Sequence, residues 1–373
     1  MNNKILAVAT AAVIAASTSG MANAVGTRYA TGSHGGYSWE AWNRIVGVNS
    51  TATLVSGGDP RYIAPMPQYS GVAALIMQYG NSLFICSGSL LPDRRSILTA
   101  AHCVSDGFGT AGPDSTTAWF YGGDNPDTVV PFNTTPVPVS DIFVNSGYTG
   151  EVIDHNDIAV LRLAEPAPLF AASYDLYVDT DLTGDEFNVA GYGRRSDTGG
   201  NVGANLGVGR LRQGDNRYEF RWGDPDFGGF FVDTDFWGTA DYAYSFVSDF
   251  DNGLAANDAG CALGAEFGIV SAKYCNLGLG LDEVAVAGGD SGGPQFINGL
   301  ISSVTSYGAK FAAPNTDVDG LLNSSFGEYS GFVPVYLHEQ FIRDNMYRVP
   351  EPGSLALLGL GLAGLGLSRR RKA

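Results

Sequence analysis

Basic residues are scarce in this chain of 373 residues. Lys and Arg number 21 against 38 Asp and Glu, a net charge of −17, and only four of the basic residues are lysines. From residue 45 to 350 the imbalance sharpens to 14 against 36, or −22. Phosphate recognition needs a basic surface, so nucleic acid is excluded as a ligand. The acidic side chains are read as solvated surface. Long apolar runs of helical period are missing from the middle of the chain, which excludes a helical bundle. In their place stand short Val, Thr, Phe and Tyr runs broken by Gly, Pro, Asn and Asp, the pattern of an all-β protein. Cysteine is limited to four residues, which leaves three possible pairings. Histidine is limited to His34, His102, His155 and His338.

The N-terminus reads as an export signal. Lys4 lies in a short n-region, residues 5–16 are apolar, and Ala22-Asn23-Ala24 ends in small residues, so cleavage is expected after Ala24. Export permits disulfides. Residues 25–44 are polar, Gly-rich and aromatic without a period, and are read as a propeptide. Residues 71–78, 83–91, 96–99, 119–121, 137–144 and 158–163 read as strands.

One stretch carries chemistry. In Gly288-Gly289-Asp290-Ser291-Gly292-Gly293-Pro294 a hydroxyl nucleophile is flanked by glycines that let backbone N–H groups approach a substrate. A serine hydroxyl needs a neighbouring base. Two partners precede it: His102 in Thr99-Ala100-Ala101-His102-Cys103, and Asp157 at the head of a buried-looking strand in Asp154-His155-Asn156-Asp157-Ile158. The order His, Asp, Ser separates this arrangement from the subtilisin and α/β-hydrolase orders. Over residues 45–346 the chain resembles the trypsin/chymotrypsin family of serine endopeptidases.

The resemblance implies two six-stranded antiparallel β-barrels with a C-terminal α-helix, about 45–165 and 166–348, joined near Pro166 to Pro168. It implies His102, Asp157 and Ser291 as catalytic triad, and the N–H groups of Gly289 and Ser291 as oxyanion hole. Ala285, six residues before Ser291, falls at the base of the primary pocket, which predicts an uncharged preference, with Asp282 or Glu283 as neighbouring anions. Ser306-Tyr307-Gly308 falls on the edge that pairs with substrate backbone. Arg44-Ile45 becomes the activation site, the new ammonium of Ile45 pairing with Asp290. Cys86 pairs with Cys103 and Cys261 with Cys275, and a bridge common beside the pocket is missing at Ala287. No metal or organic cofactor is implied, and the partner is a protein or peptide substrate. The competing reading is a surface adhesion or binding protein on a protease-like scaffold.

Residues 194–260 depart from the family by length. They are rich in Gly, Asp and aromatics and are expected to form expanded loops with one or two added strands, a decorated surface hairpin in the plainest reading. Two acidic patches, 249–253 and 315–320, fall short of the twelve-residue calcium-loop pattern and are read as turns, with a calcium site in some loop as the alternative. After Val349-Pro350-Glu351-Pro352 comes an apolar run too short for a spanning helix, then Arg369-Arg370-Arg371-Lys372. Residues 349–373 resemble the PEP-CTERM sorting signal of Gram-negative bacteria, which implies an exosortase partner and a secreted or cell-surface destination.

Overall fold

A computed structural model describes residues 30–34, 37–42, 46–107, 112–123 and 125–346. The signal peptide, Arg44, Ile45 and the sorting tail lie outside the described residues. Inside the expected propeptide, β1 (Ala30–His34) and β2 (Tyr37–Trp42) form an antiparallel hairpin. β3 (Val46–Gly47) follows directly after the expected activation site.

The first lobe is a closed barrel. β4 (Val72–Tyr79) and β5 (Ser82–Leu90) are joined by Gly80-Asn81, with Gly80 at φ +57°, as a two-residue hairpin requires. β6 (Ser96–Thr99), β7 (Ser115–Tyr121), β8 (Thr134–Val144) and β9 (Ala159–Leu163) complete it in the order β4-β5-β6-β9-β8-β7. β6 is buried along its whole length, and β9 at every position but Arg162, which is why both read as apolar runs.

The second lobe contains β10 (Glu186–Gly191), β11 (Arg212–Arg217), β12 (Phe220–Arg221), β13 (Phe246–Asp249), α1 (Ala259–Glu266), β14 (Val284–Ala285), β15 (Pro294–Ile297), β16 (Leu300–Phe311) and β17 (Tyr329–Pro334). Its ladder runs β11-β10-β15-β16-β17-β13-β12 and does not close among the described residues, where the family resemblance implies a second closed barrel. Among the described residues no strand pairing joins the two ends; the chain itself runs from one to the other, and the Asn216 amide of β11 donates to Asp249 O of β13 at 2.9 Å. At Tyr218 and Glu219 the backbone changes partner: Tyr218 N–H donates to Asp185 O, while Glu219 N–H donates to Val247 O. α2 (Glu339–Asn345), entered through a 3₁₀ turn at Val335–His338, stands where the C-terminal helix of the second lobe is expected.

The aromatic stretch of residues 194–260 is interior, against the expectation of a surface hairpin. Trp222 is 1 % exposed, with ring centroids of Trp237, Phe231 and Phe220 at 4.7, 4.9 and 5.5 Å. Its Nε1–H donates to the Tyr307 hydroxyl at 2.7 Å. Trp39 of β2 packs on Trp237 at 4.6 Å, so the hairpin is tied into this cluster. Aromatic residues spaced by glycine carry no period, yet they fill a core once the loop folds back on itself. Trp222→Ala should therefore cost about 3–5 kcal/mol in denaturant unfolding, whereas Val55→Ala, at a side chain 95 % exposed, should stay within about 0.5 kcal/mol.

Candidate active site

The histidine loop is stapled by the Cys86–Cys103 disulfide, and Cys261–Cys275 closes a second loop around α1. His102 lies in a 3₁₀ turn (Ala101–Cys103) that follows β6 directly. Asp157 stands two residues before β9, which pairs with β6 through Thr99↔Ala159. Neighbouring strands therefore deliver the two side chains to one end of the barrel. Asp157 is 1 % exposed and grips His102 twice. Its Oδ1 accepts the His102 backbone N–H at 2.8 Å, and its Oδ2 faces His102 Nδ1 at 2.7 Å. Burial pushes the Asp157 carboxyl up, but the His102 charge and the hydrogen bonds from His102 and Ser306 outweigh it and hold the group below the usual carboxylate range.

Ser306 supplies the third bond, its hydroxyl donating to Asp157 Oδ2 at 2.5 Å. By its sequence context Ser306 falls on a substrate edge, and this role is missed; no local signal could have found it, because 149 residues separate the pair. The ladder between β16 and β17 shifts register between Thr305 and Tyr307, which leaves Ser306 outside the paired positions. Tyr307 is fully buried, its hydroxyl bonded to Trp222 and Ser245, so its side chain belongs to the aromatic core. Gly308 and the residues after it already have a partner strand: Gly308, Ala309, Lys310 and Phe311 pair with Trp42, Ala41, Glu40 and Trp39 of β2.

The Ser291 loop is fastened to the first lobe. Ser87 N–H donates to Ser291 O at 2.8 Å, and Ser87 Oγ–H donates to Gly289 O at 2.8 Å. Gly292 has φ +77°, and a Cβ there would lie 2.0 Å from Thr99 Oγ1 and 2.7 Å from Ala100 N. Only glycine allows the serine loop to press on the strand that leads to His102. Cys103 Sγ lies 3.6 Å from Ser291 O; both bridge sulfurs are committed to the disulfide and ligate nothing. Gly289 has φ +101°. The carbonyl of the preceding peptide, Gly288 O, accepts the Arg194 N–H at 2.8 Å, so the Gly289 N–H of the same planar unit points the opposite way.

Asp290 is wholly buried. Its oxygens accept the N–H groups of Gly193 at 2.8 Å and Ala287 at 3.0 Å, and burial holds its carboxyl well above the usual range. No cationic side chain among the described residues pairs with it. Ala285 is 2 % exposed and pairs with Val46, so the chain next to Ile45 is inserted beside the expected pocket base. The expected neighbouring anions are engaged elsewhere. Glu283 accepts the N–H groups of Asp251 and Leu279, and Asp282 pairs with Arg61 at 2.9 Å.

Two further histidines brace the Asp157 loop. His338 is 7 % exposed; its Nε2 faces His155 O at 2.7 Å and its Nδ1 faces the Asn145 amide at 2.9 Å. The neutral ring, donating from Nε2 and accepting at Nδ1, meets both partners. Burial pushes its pKa down to about 4. Between that value and the unfolded value of about 6.5 the unfolded chain binds more protons. This contribution to stability is full above about pH 6.5 and is lost as pH falls towards 4. Subtracting the pH–stability curve of His338→Gln from that of the parent should give a difference that rises with pH across this window. A flat difference would show that His338 takes up its proton equally readily in the folded and unfolded protein.

Residues 64–220 match the Trypsin family model, and residues 348–372 match the PEP-CTERM protein-sorting motif. The latter indicates export and sorting to the surface or exterior of a Gram-negative bacterium. No curated protein matches the chain. The chain is thus similar to the trypsin family over residues 64–220 and to the PEP-CTERM sorting motif over residues 348–372.

Proposed function

We propose that this chain is an exported serine endopeptidase acting through His102, Asp157 and Ser291. The observation that carries this reading is the buried Asp157, which holds the His102 ring at Nδ1 and the His102 backbone at once. A carboxylate so placed favours the tautomer protonated at Nδ1, in which Nε2 is the basic nitrogen that accepts a proton. Ser291 Oγ attacks the peptide carbonyl while Nε2 takes its proton. The tetrahedral intermediate collapses, Nε2 returns the proton to the departing amine, and an acyl–Ser291 ester remains. Water then repeats the sequence and releases the acid. The N–H groups of Gly289 and Ser291 stabilise the oxyanion, a role supported by the Arg194 to Gly288 bond that orients the Gly289 peptide. No metal or organic cofactor takes part in these steps.

The chain is made as a precursor. Asp290 lacks a cationic partner among the described residues, and an uncompensated buried charge costs about 3–5 kcal/mol. Cleavage after Arg44 supplies one as the Ile45 ammonium. The hairpin β1–β2 adds a second restraint. β2 lies along β16 from Gly308 onwards, the edge that an extended substrate would use, and ends two residues before Arg44. Before cleavage the chain therefore carries its own strand in the substrate position. With Ala285 at the pocket base and Asp282 and Glu283 tied elsewhere, the primary pocket takes an uncharged side chain. An exosortase-type enzyme removes the C-terminal tail.

Labelling with a serine-reactive fluorophosphonate should mark the processed protein and not its Ser291→Ala variant, whose turnover should fall by several powers of ten. Absence of labelling in the processed protein would favour the binding-protein reading. Arg44→Gln, confirmed uncut by N-terminal sequencing, should be inactive, and Asp290→Asn should be inactive even after cleavage. Full activity of uncut Arg44→Gln would remove both restraints from the scheme. Intact mass of cell-surface material should lack residues 369–372; a species that retains Arg371 in the inner membrane would mean that the tail is an anchor.

A further inference from the structure

The two acidic patches that read as turns in the sequence have different surroundings. In the second, Asp317 is buried but has a cation, Lys310 Nζ, at 3.3 Å, and accepts from Ser325 Oγ–H at 2.9 Å. The first contributes Asp249 and Asp251, and the fold adds Glu219 from the joint between β11 and β12. One carboxylate oxygen from each of the three lies within 4.8 Å of the others. All three residues are at most 2 % exposed. No Lys or Arg forms an ion pair with any of them among the described residues.

The oxygens are also incompletely paired. Glu219 Oε1 accepts the Asn276 amide and Asp249 Oδ2 accepts the Gly260 N–H. Glu219 Oε2 and both carboxylate oxygens of Asp251 are buried without a hydrogen-bond partner. Native folds leave few buried polar atoms in this state, and a bound ion is one of the explanations each calls for. Three mutually close carboxylates cannot all ionise in a dry interior without a cation.

We propose that Glu219, Asp249 and Asp251 form a binding site for one Ca²⁺ ion. The donors are all hard oxygens, which suit Ca²⁺ or Mg²⁺ and not a thiophilic metal. Ca²⁺ binds oxygen at about 2.3–2.6 Å, so two of its ligands can stand up to about 5 Å apart, in keeping with this cluster. Mg²⁺ requires tighter octahedral packing at about 2.0–2.1 Å and keeps several waters, which a site this enclosed does not favour. The ion braces the segment beneath the expected pocket base. Asp251 N–H is held by Glu283 Oε1, and Glu283 leads directly into β14 and Ala285.

The test uses the full-length chain carrying Ser291→Ala, to prevent self-digestion, stripped of metal and melted in EDTA, in millimolar CaCl₂ or in millimolar MgCl₂. Ca²⁺ should raise the melting temperature by several degrees and Mg²⁺ by clearly less, because a ligand that binds only the folded state stabilises it. Tb³⁺ should give luminescence sensitised by nearby Tyr and Trp, displaced by Ca²⁺. Asp251→Asn should abolish both responses without lowering the metal-free melting temperature; if it does not fold, Glu219→Gln is read in the same way. Asp317→Asn should keep the Ca²⁺ shift. Equal melting in EDTA and Ca²⁺, an equal or larger shift with Mg²⁺, or a Ca²⁺ shift that survives Asp251→Asn and Glu219→Gln would each overturn the assignment.

Discussion

The buried carboxylate of Asp157 is the interaction on which the rest of the site depends. It takes a backbone N–H and a ring nitrogen from the first lobe and a hydroxyl from the second. One anion is thus the meeting point of two sheets that otherwise have separate strand ladders. Its donors outweigh its desolvation, so it can stay ionised inside the protein. Everything that positions those donors, including the Cys86–Cys103 staple, the β6–β9 pairing and the register shift in β16, serves this one bond set.

Buried acids recur through both lobes, and they differ by what faces them. Asp157 has His102, and Asp317 has Lys310. Glu328 has three backbone N–H groups, those of Asn323, Ser324 and Ser325, yet burial still pushes its carboxyl up to about 8. Asp290 has two N–H groups and no cation among the described residues. In the cluster of Glu219, Asp249 and Asp251, N–H donors reach the first two carboxylates and not the third. A buried anion without an opposite charge is a source of instability unless something arrives to compensate it. Those two places are where the proposed ammonium of Ile45 and the proposed calcium ion belong.

The aromatic stretch and the N-terminal hairpin belong to one device. Trp39 of β2 packs on Trp237, and Trp222 bonds Tyr307 of β16, so the strand beside β16 is held by the same cluster that fills the interior of residues 194–260. The length that sets this chain apart from the family pattern it resembles is spent on a core, not on surface decoration. Release of the hairpin would expose both an apolar face and a strand edge, which couples any processing of the N-terminus to the stability of this lobe.

Part of this architecture is legible in the amino-acid sequence alone. Alternation and apolar runs locate β4, β5, β6 and β9 to within a residue, because a barrel strand must bury a side-chain row whatever its partners. The Gly-Asp-Ser-Gly-Gly-Pro stretch and the order of His102, Asp157 and Ser291 point to acyl transfer, because nucleophile, base and orienting acid impose residue types by chemistry alone. Contacts between distant residues are beyond its reach. Ser306 has the context of a substrate edge, and only a one-residue register shift turns its hydroxyl onto Asp157. Asp249 and Asp251 have the context of turn residues, and only the joint at Tyr218 and Glu219 brings a third carboxylate beside them. The ladder of the second lobe does not close among the described residues, and β2 finds β16 across more than 260 residues. Local chemistry is written in residue type and spacing; which buried charges meet is decided only when the chain closes on itself, because pairing energy depends on distance and burial and not on position along the sequence.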